Sequence, residues 1–229
     1  VEKNQKSIWS PDQNDAETKA PKHKSQEEPM INMPPLTKYM LALFVGIHII
    51  CAVFISKPVL YDIYQLFGFV PAHYWGANDI PLWSKIISPL TYAFLHGGWT
   101  HIGMNGIMLA AFGSGLERAC GAKRLFVFFA VTSILSLILQ FALAPHTSGV
   151  VIGASGGLSA YFGAILLLFY RRGMMGHGRY GLWPIILIWV AISIIFGLMG
   201  SPDGASVAWA AHLGGFFAGL LLAKPMLKI

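Results

Sequence analysis

A serine and a histidine stand where packing alone gives little reason for either. Ser155 lies in Gly153-Ala154-Ser155-Gly156-Gly157 near the start of one apolar stretch, and His212 lies in Ala211-His212-Leu213-Gly214-Gly215 within the last one. A serine hydroxyl is a weak nucleophile until a base within about 3 Å takes its proton, and imidazole suits that task. Attack on an amide then develops an oxyanion, which needs donors already aimed at it in a dry site. His101 and Asn105 are four residues apart, hence on one helix face, and both can donate hydrogen bonds. The backbone N–H of Ser155, at a helix N-terminus beside glycines, is a further donor. His96 comes five residues before His101, off that face, and is expected to support the segment His96-Gly97-Gly98-Trp99 or a water.

The elements that carry these residues read as membrane spans. Of the 229 residues 55% are hydrophobic and 11% charged, and the mean hydropathy is +0.59, far more apolar than a soluble domain. The expected fold class is all-α, a polytopic membrane protein with a six-transmembrane-helix bundle. Apolar runs near the ~20 residues needed to cross the hydrocarbon core place spans at about residues 38–56, 94–115, 123–143, 154–170, 182–199 and 206–223. Residues 1–37 hold Lys3, Lys6, Lys19, Lys22 and Lys24 among acidic residues and prolines, with Ile8, Trp9, Met30 and Ile31 too few to build a core. They are expected as a flexible cytoplasmic N-terminal tail, with the membrane domain at 38–229. A polar start without an apolar h-region argues against a cleavable signal peptide.

The formal charge of +6 would suggest nucleic acid in a soluble protein, but its placement points to the bilayer instead. Arg118, Lys123 and Arg124 follow the second span, Arg171, Arg172 and Arg179 the fourth, and Lys224 and Lys228 the sixth. Opposite them, residues 144–153 and 200–205 hold no Lys or Arg, and the first loop only Lys57 and Lys85. Both termini are therefore expected on the cytoplasmic side. His101, Ser155 and His212 then share one depth near the outer ends of spans two, four and six. Ala211, Gly215 and Gly219 form a small-residue ridge on the last span, and Gly156, Ala160 and Ala164 form another on the fourth. Close contact of the two ridges would bring Ser155 to His212. Cys51 and Cys120 offer no disulfide framework; the first is expected as a core residue, the second as a cytoplasmic thiol in a turn.

Each feature alone has a plain structural explanation. Serines in membrane helices bond to their own backbone, and small-residue ridges serve packing. An intramembrane histidine is costlier and points to function. The set as a whole resembles the rhomboid family of intramembrane serine proteases. The resemblance covers roughly residues 38–225. It rests on His96-x4-His101-x3-Asn105, Gly113-x3-Glu117-x3-Gly121, Gly153-x-Ser155-Gly156 and His212-x2-Gly215-x3-Gly219.

The resemblance implies Ser155 as nucleophile and His212 as base in a dyad without an acidic third member. It also implies oxyanion stabilisation by His101, Asn105 and the Ser155 amide, with no cofactor or metal. Asp203, in a Pro-Asp-Gly turn, takes no part, and Glu117 is expected to tie helix ends together. Two positions depart from the family. Ser159 stands where many members carry an aromatic that packs on the histidine, and Ile87-Ser88 where many carry Trp-Arg. Either another residue then orients His212 or it is held less firmly, and the first loop is expected to fold differently, with Tyr74, Trp75 and Trp83 as its anchors.

The implied substrates are single-pass membrane proteins cut in or near their transmembrane helix, and local unwinding at small or helix-breaking residues lowers the cost of exposing the bond. The segment Gly200-Ser201-Pro202-Asp203-Gly204 has the composition of a mobile cap, with substrate access beside the fifth span. The compact six-span form suggests a bacterial inner membrane. Two rivals are a non-catalytic rhomboid-like protein that binds client helices and a metal hydrolase using His96, His101 and His212. The oligomeric state is not legible.

Overall fold

The computed structural model describes residues 32–76, 80–174, 180–199 and 208–229, with backbone alone for 196–199. Most of the expected tail, residues 1–31, and the expected cap at 200–204 lie outside the described residues. The helical unit runs over Met33–Ile229.

Its helices follow in chain order as α1 Pro35–Ile49, α2 Lys57–Phe67, α3 Leu82–Thr91, α4 Trp99–Met108, α5 Ser114–Cys120, α6 Ala122–Leu143, α7 Ser155–Arg171, α8 Trp183–Met199 and α9 Trp209–Leu222. A turn of π-helix extends α1 through Ile50–Phe54, another joins α4 to α5 through Leu109–Gly113, and a third extends α9 through Ala223–Leu227. Among the described residues six long helical segments result, all-α as expected. Among the described residues Pro35–Phe54, Ala122–Leu143 and Trp209–Leu227 are long and apolar enough to cross a membrane, and Trp183–Ile195 is a shorter apolar helix. The segments bearing His101 and Ser155 carry more polar residues and are weaker by hydropathy, and α7, at 17 residues, is also shorter than the ~20 of a typical span.

The core is built on α7. It is wrapped by α6 and α9, and from Gly156 to Leu168 nearly every residue of α7 is buried. Leu158, Tyr161 and Ala164 are fully enclosed with Phe128, Phe129 and Phe216. Tyr161 donates its hydroxyl to the Leu125 carbonyl at 3.2 Å, which satisfies the one polar atom that the ring carries inward.

Glu117 ties helix ends in a specific way. Helix α1 begins at Pro35 with no side-chain cap of its own. The Glu117 carboxylate, 80 residues on, accepts from the Leu36 N–H at 2.9 Å and from the Thr37 N–H and hydroxyl, each at 2.8 Å. A carboxylate at a helix N-terminus satisfies orphan donors and faces the positive end of the dipole. Glu117→Ala strands two backbone donors, and we expect it to lower unfolding stability in detergent by about 2–4 kcal/mol. Glu117→Gln, which keeps one acceptor oxygen, should lose about half as much. Equal melting of Glu117→Ala and wild type would remove this role.

The first loop is ordered by hydrogen bonds between its helices. Ser84 donates to the Leu66 carbonyl at 2.6 Å and Thr91 to the Phe67 carbonyl at 2.7 Å, joining α3 to the end of α2. Tyr74 donates to the Lys85 carbonyl at 2.7 Å and lies 3.2 Å from Ser88, the residue that stands in place of arginine. Trp75 stacks on Phe141 of α6 and Trp83 packs on Phe67. Cys120 is the buried last residue of α5 rather than part of a turn, and Cys51 is buried as expected.

Candidate active site

Ser155 is the first residue of α7 and His212 lies in the first turn of α9. These two helices meet backbone to backbone. A Cβ on Gly215 would overlap the Gly156 carbonyl, and one on Gly219 would overlap the backbone of Ala160. Gly163 faces the Phe216 carbonyl in the same way from the other helix. The contact is the small-residue ridge expected from spacing, and it brings His212 Nε2 to 2.7 Å from Ser155 Oγ. With the neutral ring protonated on Nδ1, the serine hydroxyl donates to Nε2, the arrangement from which imidazole can take its proton.

The turn before Ser155 is fixed on both sides. Gly153 has φ of +112°, a conformation that side chains disfavour, and a Cβ there would lie 2.5 Å from His101 Nε2. Its N–H donates to the Tyr92 carbonyl at 2.9 Å. Upstream, Phe69 and Val151 exchange backbone hydrogen bonds of 3.0 and 2.8 Å, and Ala72 N–H donates to the Thr147 carbonyl at 3.1 Å. The first loop thus braces the segment that leads to the serine. Tyr92 extends the brace to α6, donating its hydroxyl to the Ser133 carbonyl at 2.8 Å.

His101 and Asn105 sit on the same side of this turn. The Gly97 N–H donates to His101 Nδ1 at 3.4 Å, a long bond, which leaves the proton of a neutral ring on Nε2, the nitrogen beside Gly153. Asn105 uses one amide N–H on the His101 carbonyl at 3.0 Å, and its nitrogen also lies toward Gly153. His101 Nε2 and Asn105 Nδ2 thus both lie at Gly153, two residues before Ser155, whose own N–H is at the helix start. Such a set can stabilise negative charge on an oxygen without reorganising.

His96 is brought near but plays a different part. Its ring is buried against Phe44 and lies 5.3 Å from that of His101. Its carbonyl accepts from the Tyr64 hydroxyl at 2.9 Å and from His48 Nδ1 at 3.2 Å. Because a carbonyl only accepts, the His48 proton is on Nδ1. The His48 ring then packs edge-on against Trp99 at 4.6 Å, at the head of the helix that carries His101. Reading by motif passes over His48, although a lone histidine in an apolar helix is as costly there as in the last one. Tyr64 and Tyr92 are missed as well, since both act on backbone carbonyls. The three-histidine metal site is not assembled: among the described residues no three His, Cys, Asp or Glu stand together as ligands would.

A helical bundle with apolar segments and a serine–histidine pair at the start of two interlocked helices defines a class, a polytopic membrane protein with a hydrolase-like site. The Rhomboid domain model matches residues 83–229, well over half of the chain, and the chain belongs to the rhomboid family. It is 33% identical over 150 residues to rhomboid-type serine protease 2 of Emericella nidulans, covering 64% of this chain and 27% of that protein. It is 29% identical over 143 residues to rhomboid protease GluP of Bacillus subtilis, covering 62% and 27%. With rhomboid protease GlpG of Serratia proteamaculans it shares 29% over 174 residues, covering 72% and 58%. The chain thus spans about a quarter of the first two relatives' length. Family and apolar helices together make it an integral membrane protein.

Proposed function

We propose that the chain is an intramembrane serine protease that hydrolyses peptide bonds in or near the transmembrane helix of single-pass membrane proteins. The observation that carries the reading is the 2.7 Å approach of His212 Nε2 to Ser155 Oγ, with the His101 and Asn105 nitrogens at Gly153 in the turn before the serine. Ser155 Oγ attacks the scissile carbonyl while His212 takes its proton. The oxyanion is held by the Ser155 N–H, His101 Nε2–H and Asn105. His212 then protonates the leaving amine, and a water, deprotonated by the same ring, hydrolyses the acyl-enzyme. His96, held at its carbonyl by Tyr64 and His48, supports the segment before His101. The reaction needs no cofactor or metal.

Six spans with both termini cytoplasmic put this site at the outer end of the bundle. The placement is supported by Arg118 and Arg172 at the opposite end. The compact six-span form is the support for a bacterial inner membrane. Residues 1–37 act as a cytoplasmic tail ahead of the protease domain, and substrate reaches the site beside α8. The names of the relatives support the protease class.

Labelling tests the reading directly. A fluorophosphonate probe should modify the purified protein at Ser155, and Ser155→Ala should take up none. Coexpressed single-pass proteins should be cut by wild type alone. A folded wild-type protein that neither labels nor cuts would instead be the client-binding member of the family.

A further inference from the structure

Away from the site, a cavity of about 510 Å³ opens between the α4–α5 segment and α7. Phe112 and Gly115 are on one wall, Phe162, Ile165 and Phe169 on the other, and Arg118 and Arg172 are also in the lining. The spacing explains the amphipathic character. Arg118 follows Gly115 by three residues on α5 and Arg172, just past the end of α7, follows Phe169 by three, so each arginine stands at the end of a groove-facing row. Both arginines are exposed, while the apolar rows run back into the bundle, where Phe112 packs on Phe162 with ring centres 5.2 Å apart. The groove therefore joins two chemistries: an aliphatic slot and a pair of guanidinium groups, the donors best shaped for phosphate oxygens.

We propose that this groove binds an anionic phospholipid, its phosphate held by Arg118 and Arg172 and an acyl chain laid along Phe112, Phe162 and Ile165. The charge at one end chooses the occupant. A free phosphate would leave the apolar walls uncovered. A partner helix would lay only a row of side chains in the slot and bring no phosphate to the two guanidinium groups. Basic pockets between membrane helices hold anionic headgroups for the same reason. The bound chain lies against Phe162, whose ring also packs on Trp189 of α8 at 4.6 Å. Lipid composition thereby bears on how α8 sits against the bundle, whether or not the protein cuts substrates.

The test reads binding rather than activity. The full chain is purified in detergent with equal amounts of phosphatidylglycerol and phosphatidylcholine, and retained lipid is counted by native mass spectrometry. Wild type should retain phosphatidylglycerol in about tenfold excess or more. Arg118→Gln with Arg172→Gln, both at exposed positions, should bring the two lipids level. Ala111→Trp, which fills the slot from an exposed position on its rim, should lose the phosphatidylglycerol while keeping both arginines. Undiminished phosphatidylglycerol in either variant overturns the proposal. So does equal retention of the two lipids by wild type, or competition by glycerol 3-phosphate at the concentration that suffices for the lipid.

Discussion

Ser155→Ala, His212→Ala and the double variant should lower cleavage of a transmembrane substrate by one common factor, at least about 10⁴. A nucleophile and its base act as a unit, so once either is gone the other has nothing left to contribute. The 2.7 Å approach makes the prediction sharp, because no third side chain is invoked to relay the proton. Donors beside the serine remain in all three variants, and any residual rate should be the same in each. The rates are to be measured with purified protein on one substrate, with product ends mapped. A double variant much slower than either single one would show that the two residues act independently. His212→Ala within about tenfold of wild type would mean that another base serves.

Much of this site was legible because intramembrane polarity is conspicuous. Ser155, His101, Asn105 and His212 stand out against apolar neighbours, and the positions of glycine and alanine foretold which helices meet. Gly215 on Gly156 and Gly219 on Ala160 are the contacts that the spacing called for. Side chains that act on backbone groups were less legible. His48 and Tyr64 both serve the His96 carbonyl, and Tyr92 serves the Gly153 N–H through its own carbonyl. A carbonyl has no residue type, so no sequence pattern marks it as a target. Glu117 is intermediate: its motif suggested a tie between helix ends, but the partners are the Leu36 and Thr37 amides on a helix 80 residues earlier.

The helix breaks show the same limit. A period of 3.6 places His101 and Asn105 on one face, yet it gives no warning of the π turn at Leu109–Gly113 that stands between them and Glu117. The first loop lacks Trp-Arg and is still well tied, because Tyr74 bonds across to Lys85 and Ser88 and Trp75 stacks on α6. How His212 is held without an aromatic at 159 has a related answer. Its helix is locked at the backbone three and seven residues further on.

That lock yields the second large expected effect. Gly215→Ala should cost about 1–3 kcal/mol of stability and about 100-fold or more in cleavage. The new Cβ meets the Gly156 carbonyl, a backbone oxygen that cannot turn aside as a side chain would, so α7 and α9 must separate. Gly215 is nearly one turn from His212, and Gly156 is next to Ser155, so the separation falls on the dyad itself. A displacement of about 1 Å in a reacting pair is enough for a loss of that size. Gly46→Ala on α1 is the control, since a Cβ there meets nothing within 4 Å. It should keep full cleavage and match or exceed wild-type stability, as alanine favours helix over glycine. Melting curves in detergent and the rate of fluorophosphonate labelling separate the two effects. If Gly215→Ala melts lower yet labels at the wild-type rate, α9 tolerates the added methyl without moving His212, and the backbone contact serves stability alone.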